Sequence, residues 1–185
     1  MAPNETGPRV LVVYYSRSGN TECVADGLAR ASGADLEALV STRDRRGLIG
    51  YLLSGFEATT ERAGRIHAPK HRATDYDIVL IGTPTWAASV SSPVRTYLNR
   101  YADTLPEVAF FVTCGGRGAE RALEQMKSIS GKTPLATLAL SERDLKRHAS
   151  VYFGEFWERV LSAWEKTRYA TSLQSPQPSA RSLSR

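Results

Sequence analysis

Three turns of the chain carry residues that could bind a ligand, and the first of them is rich in hydroxyl groups. It follows the first apolar run, leads into a segment with helical spacing, and consists of Ser16, Arg17, Ser18, Gly19, Asn20 and Thr21. Backbone amides at a helix start, neighbouring hydroxyls and the positive end of the helix dipole can together surround a phosphate dianion. The Walker A sequence and the G-x-G-x-x-G fingerprint are both absent. The turn therefore predicts a phosphate site, with a plain helix N-cap as the alternative.

The second and third turns follow later apolar runs. The second contains Thr83, Pro84, Thr85 and Trp86, and the third contains Thr113, Cys114, Gly115, Gly116, Arg117 and Gly118. A tryptophan on a loop suits contact with a flat aromatic ring, although it can also fold back onto the core. Three glycines in one short turn allow the backbone to approach a ligand closely. Together the two turns predict a site for a planar ligand.

The elements that position these turns are strands and helices in alternation. Continuous apolar runs at 10–15, 78–81, 108–112 and 135–140 predict strands buried on both faces, and the weaker alternating run 35–40 predicts a short edge-like strand. Helical spacing is found at 20–31, 48–58, 92–101, 119–129 and 142–166. This alternation predicts an α/β fold with a doubly wound parallel sheet, which binds ligands beyond the carboxyl ends of its strands.

Taken in this order, the three turns resemble those of flavodoxin-like proteins over roughly residues 9–165. The stretch 47–56 also resembles single-domain members of that family. The resemblance implies a five-stranded sheet in the order 2-1-3-4-5, helices on both faces, and FMN as the cofactor. It implies that the first turn, from Ser16 to Thr21, binds the FMN phosphate. It places Thr83, Pro84, Thr85 and Trp86 on one side of the isoalloxazine, and Thr113, Cys114, Gly115, Gly116 and Gly118 near its pyrimidine side.

Two departures from classical flavodoxins carry expectations of their own. Residues 114–118 contain no second aromatic residue, so one flavin face is expected to be open. Neither 83–95 nor 113–117 contains an acidic residue, whereas flavodoxins are typically strongly acidic. Because carboxylates near a flavin disfavour its anionic hydroquinone, we expect reduction to be easier here than in those proteins.

Composition limits the other possibilities. The 185 residues fit one domain, expected at 9–167, between a flexible N-terminus and a disordered tail at 168–185. The sequence shows no apolar stretch long enough for a membrane span and no secretory signal, which predicts a cytoplasmic protein. The net charge is +5, but no aromatic-studded basic groove accompanies it, so we expect no nucleic-acid partner.

The cysteines and histidines give weaker signals. Cys23 and Cys114 form no CxxC pair and are expected to be packing residues, and no metal site is predicted. His67, His71 and His148 share no catalytic spacing and are expected on the solvated surface. No catalytic side chain is assigned.

Two functions from different classes remain open, and a third is less favoured. The first, which the sequence slightly favours, is an electron carrier that shuttles electrons between redox partner proteins. The second is an NAD(P)H-dependent quinone or FMN reductase that uses the open flavin face. Basic residues on both sides of the second helix could dock an acidic partner or a nicotinamide phosphate, or they could simply be solvated. The third is a flavodoxin-fold protein that has lost FMN.

Overall fold

The computed structural model describes residues 7–41, 66–147 and 149–174. The predicted helix at 48–58, His148 and the chain after Gln174 lie outside the described residues. The strands are β1 (Val10–Tyr14), β2 (Asp35–Ala38), β3 (Ile78–Trp86), β4 (Ser89–Val90), β5 (Glu107–Cys114) and β6 (Thr137–Ser141). The helices are α1 (Asn20–Ser32), α2 (Ser92–Tyr101), α3 (Ala119–Ser130), α4 (Glu142–Arg147) and α5 (Ala149–Gln174).

Five strands form a parallel sheet in the order β2-β1-β3-β5-β6, and β4 pairs antiparallel with the end of β3. With β4 set aside, this is the predicted order 2-1-3-4-5. The register places Val13 beside Ile81 and Ile81 beside Phe110 in the centre of the sheet. Because the main strands are parallel, their carboxyl ends lie at one edge, where the three predicted turns follow β1, β3 and β5.

Side chains of each central strand alternate between two hydrophobic cores. Leu11 and Val13 of β1 belong to the core beneath α2 and α3, whereas Val10 and Val12 belong to the core beneath α1 and α5. Every one of these four side chains is buried. Burial on both faces explains why these strands are continuously apolar in the sequence.

The edge strand β2 departs from the expected pattern. It lies at the sheet edge as predicted, but Glu37 and Leu39 are buried, whereas Leu36 and Val40 are 39% and 55% exposed. The Glu37 carboxylate accepts hydrogen bonds from the backbone N–H groups of Lys70 and His71, each at 2.9 Å. Its Oε2 also lies 2.9 Å from His71 Nδ1. These hydrogen bonds offset the cost of burying the Glu37 carboxylate. They also pair His71 with Glu37, whereas the sequence predicted a histidine on the solvated surface.

The helical spacing at 142–166 predicts a single helix in the C-terminal part of the chain. The structure has α4 and α5 instead, and α5 continues to Gln174, so residues 168–174 of the tail expected at 168–185 are helical. Side chains support this last stretch: the Arg168 guanidinium lies 4.7 Å from the Trp164 ring centre, and the Thr171 hydroxyl donates to the Thr167 carbonyl. Among the described residues, no helix combines the length and apolar character of a membrane span.

Candidate functional site

The three predicted turns converge on one cavity of about 610 Å³ at the carboxyl edge of the sheet. Its walls are formed by Ser18, Asn20, Pro84, Thr85, Trp86, Ala87, Thr113, Cys114, Gly115, Glu142 and Leu145. The volume is within the range of about 300–1,000 Å³ that is usual for small-molecule sites. The structure thus brings together residues that are far apart in the sequence, as the predicted topology requires.

The first turn is organised by its own hydrogen bonds. Gly19 precedes α1 with φ of 91°, and its N–H donates to Ser16 Oγ at 3.1 Å. The Thr21 side chain is buried, and its hydroxyl lies 2.8 Å from the Thr113 hydroxyl. Ser16 and Thr21 therefore shape the turn and tie it to β5, while Ser18 and Asn20 line the cavity.

Trp86 forms part of the wall contributed by the end of β3. Its ring makes an edge contact with Tyr15, with ring centres 5.7 Å apart, and the exposed Arg17 places its guanidinium 5.8 Å from the Trp86 ring centre. The predicted phosphate residue Arg17 thus lies beside the tryptophan and not among the residues that line the cavity. Aromatic and cationic neighbours together restrain the indole at the cavity edge.

The turn after Trp86 forms a hairpin that the sequence analysis missed. Ala87 and Ala88 join β3 to β4 with φ of 47° and 57°. Thr83, predicted to contact a ligand, is buried beneath this hairpin, where its hydroxyl oxygen accepts the Ser91 N–H at 3.1 Å. Its role in the structure is to hold the start of α2 against β3.

The third turn approaches the hairpin closely. Gly118 is the N-cap of α3 with φ of 85°, and a Cβ added there would lie 2.6 Å from the Ala88 Cα. Gly116 also has a positive φ, of 128°, whereas a Cβ at Gly115 or Gly116 would meet no atom within 4 Å. Gly118 therefore permits the contact between turns, and Gly115 leaves space at the cavity wall.

The helix α4, which follows β6 directly, contributes Glu142 and Leu145 to the cavity wall; neither is among the site residues predicted from the sequence. Asn20 Nδ2 donates to Glu142 Oε1 at 3.3 Å, which joins α4 to the first turn. Glu142 lies outside the acid-free stretches 83–95 and 113–117, and it is the one carboxylate among the described residues of the cavity wall. Because a carboxylate near a flavin disfavours its anionic hydroquinone, Glu142 opposes the easier flavin reduction that the sequence predicts.

Three reciprocal hydrogen bonds between Ser141 and Asp144 mark the start of α4. The Ser141 N–H and hydroxyl donate to Asp144 Oδ2 at 2.8 and 2.6 Å, and the Asp144 N–H donates to Ser141 Oγ at 3.3 Å. These bonds from Ser141 lower the pKa of the Asp144 carboxyl from its usual value. This is a capping box, and the spacing of a serine and an aspartate could have revealed it in the sequence.

The predicted site residues fall into two groups. Those that line the cavity are Ser18, Asn20, Pro84, Thr85, Trp86, Thr113, Cys114 and Gly115. Those that adjoin or support it are Ser16, Arg17, Gly19, Thr21, Thr83, Gly116 and Gly118. Cys114 is partly exposed, and Cys23, expected to pack, is exposed on α1. The ligand-binding role of each residue stays a prediction.

The sheet order and the cavity over its carboxyl edge define a flavodoxin-like protein. An FMN-bound flavoprotein from Lactobacillus acidophilus is similar, with a TM-score of 0.64 and 21% identity over 72% of this chain and 93% of that one. A protein from Bacteroides eggerthii gives a TM-score of 0.68 and 20% identity over 84% and 99%. The two-electron reduced flavodoxin of Megasphaera elsdenii gives a TM-score of 0.52 and 21% identity over 83% of this chain and 98% of that one. At these identities the likeness shows the fold.

The family is shown by a separate match of sequence. Residues 8–141 match the model of the family described as NADPH-dependent FMN reductase, and the chain therefore belongs to that family. This match confirms the expected flavodoxin-like, FMN-binding class and FMN as its cofactor. It fits the reductase alternative at least as well as the electron carrier.

Proposed function

We propose that this protein binds FMN in the 610 Å³ cavity and acts as an NADPH-dependent oxidoreductase. The observation that carries the proposal is the convergence of a helix N-terminus, a tryptophan and a glycine-rich turn on one cavity, in a chain of the FMN reductase family. FMN, when bound, supplies the two-electron chemistry, and the protein supplies binding, orientation and access.

The residues of the cavity fit the parts of FMN. The turn before α1 and the start of that helix offer backbone amides, the Ser18 hydroxyl and the Asn20 side chain to a phosphate, reinforced by the helix dipole. Trp86 offers an apolar face to an aromatic ring, and Thr85 and Thr113 offer hydroxyls beside it. Described side chains thus provide anion-binding, stacking and hydrogen-bonding groups in one place.

The part of the cavity wall formed by the third turn and α4 favours a reductase. Cys114 and Gly115 bring no aromatic ring there, and α4 contributes only Leu145 and Glu142. A nicotinamide must come within about 3–3.5 Å of a flavin to react, so it needs an uncovered flavin face. A second aromatic residue in this turn would occupy that space, and Gly115 leaves it empty.

The test is anaerobic addition of NADPH to the FMN-loaded protein, followed by a quinone acceptor. The proposal predicts rapid bleaching of the flavin and turnover of the quinone, with NADH as the comparison donor. A flavin that binds but resists both nicotinamides, yet is reduced by a flavoprotein reductase, would instead identify an electron carrier. Failure to bind FMN would contradict both functions.

A matched pair of variants tests the open wall. Gly115→Trp places an aromatic side chain in the third turn, and Gly115→Ala is the control because a Cβ there meets no atom within 4 Å. We expect both variants to retain FMN and to be reduced by dithionite, whereas only Gly115→Trp loses reduction by NADPH. Equal rates for the two variants would show that access does not pass this wall.

A further inference from the structure

The hairpin that carries Trp86 has a turn that its own residues disfavour. Ala87 and Ala88 occupy the two central positions with φ of 47° and 57°. Two-residue hairpin turns with positive φ at both positions normally use Asn-Gly or a similar pair, because a Cβ disfavours the left-handed conformation. Contacts outside the turn must therefore hold this hairpin in place.

The side chain of Gln125, on α3, makes such contacts. Its Oε1 accepts the backbone N–H of Val90 at 3.0 Å and the Nη2 of Arg95 at 3.2 Å, and its Nε2 lies 3.5 Å from Ser89 Oγ. Ser89, Val90 and Arg95 are 2%, 0% and 5% exposed, and Gln125 is half-buried, so these contacts are partly shielded from water. One amide therefore contacts both residues of β4 and a buried guanidinium.

The position of β4 determines that of the cavity wall. Val90 pairs with Thr85, and Ser89 pairs with Trp86, and both partners line the cavity. Gln125 itself is not one of the residues that line the cavity. We propose that Gln125 is a positioning residue for FMN, which fixes β4 and thereby holds Trp86 in its place in the cavity wall. This inference rests on the proposed binding of FMN in the cavity.

Two variants separate positioning from general stability. Gln125→Met keeps the length of the side chain but removes its hydrogen-bonding atoms, whereas Gln125→Glu keeps an oxygen for the Val90 N–H and for Arg95. Ala88→Gly relieves the left-handed turn from within, because glycine adopts positive φ without a steric penalty. If Gln125 holds the turn, adding Ala88→Gly to Gln125→Met should restore the FMN affinity that Gln125→Met alone removes. Glu124→Met, at an exposed neighbouring position, is the control.

The experiment measures FMN affinity by flavin fluorescence, and hydrogen exchange of the Val90 amide in the apoprotein. We expect Gln125→Met to weaken FMN binding about tenfold, which corresponds to about 1.4 kcal/mol, and to speed the exchange of Val90. We expect Gln125→Glu and Glu124→Met to bind like the wild type, and Gln125→Met with Ala88→Gly to recover most of the affinity. The thermal midpoint of each apoprotein shows that it is folded at the assay temperature.

Wild-type affinity in Gln125→Met, or a loss that Ala88→Gly does not repair, would overturn the positioning role. If the wild type itself binds no FMN, the proposed function fails separately. Hydrogen exchange of the Val90 amide still tests whether Gln125 holds the hairpin. An unchanged exchange rate in Gln125→Met would overturn that claim as well.

Discussion

Replacing Gly118 with alanine should damage the protein far more than the same change at Gly131. Both glycines flank α3 with positive φ, 85° and 64°, so both substitutions force a Cβ into a left-handed residue. That strain costs about 1–2 kcal/mol. At Gly131 the added Cβ meets nothing within 4 Å, whereas at Gly118 it would lie 2.6 Å from the Ala88 Cα.

The close approach adds a second cost at Gly118. Backbone atoms cannot rotate away as a flexible side chain can, so the hairpin must shift, and overpacking of this kind costs about 1–3 kcal/mol. We therefore expect a loss of about 2–5 kcal/mol for Gly118→Ala, against about 1–2 kcal/mol for Gly131→Ala. Because the shifted residue, Ala88, belongs to the two-residue turn that follows Trp86, Gly118→Ala should also weaken FMN binding.

Urea unfolding of both variants, analysed by linear extrapolation, measures the two free energies. FMN titration of the folded variants measures the functional effect, and Gly131→Ala should bind like the wild type. Equal losses of stability in the two variants, with unchanged FMN affinity in Gly118→Ala, would refute the claim that this glycine is needed for the contact between the turns.

Three further changes test other parts of the account. Thr113→Val should cost about 1–3 kcal/mol in urea unfolding, because Thr21 loses its buried hydroxyl partner, and adding Thr21→Val should restore part of the loss. The Ser141 hydrogen bonds lower the pKa of Asp144, so its contribution to stability is present above the usual carboxyl pKa and is lost as pH falls through the lowered value. Asp144→Asn should therefore resemble the wild type more closely in acid than at neutral pH. Burial raises the pKa of Tyr76 to about 12. The contribution of Tyr76 to the free energy of unfolding should therefore decline as the pH rises from the usual tyrosine pKa through the raised one. Tyr76→Phe should flatten the alkaline limb of the stability profile.

The sequence predicted the main strands well because burial on both faces leaves a clear pattern. The sequence runs that form β1, β3 and β5 are apolar at every core position, so they show no alternation of apolar and polar residues. The edge strand β2 was harder, since its inward residue is Glu37, a carboxylate that is satisfied by backbone donors from residues 70 and 71. A contact between distant residues cannot be inferred from local polarity.

The missed parts of the site have local explanations. The β3–β4 hairpin lacks the Asn-Gly signal because Ala87 and Ala88 adopt its left-handed turn, held by a contact to Gly118 and by Gln125. Helical spacing places Glu142 in one long final helix, whereas the Ser141–Asp144 capping box starts a separate short helix, α4, there. In both places tertiary contacts or caps determined a structure that periodicity alone does not show.

The most direct test of the central claim is a titration of the apoprotein with FMN while tryptophan fluorescence is recorded. The chain has three tryptophans, and Trp164, on α5, is buried in the core on the other face of the sheet from Trp86. The account predicts saturable quenching at one FMN per chain in the wild type, most of it lost in Trp86→Phe and retained in Trp164→Phe. Quenching that is absent, does not saturate, or persists unchanged in Trp86→Phe would contradict the placement of FMN in this cavity.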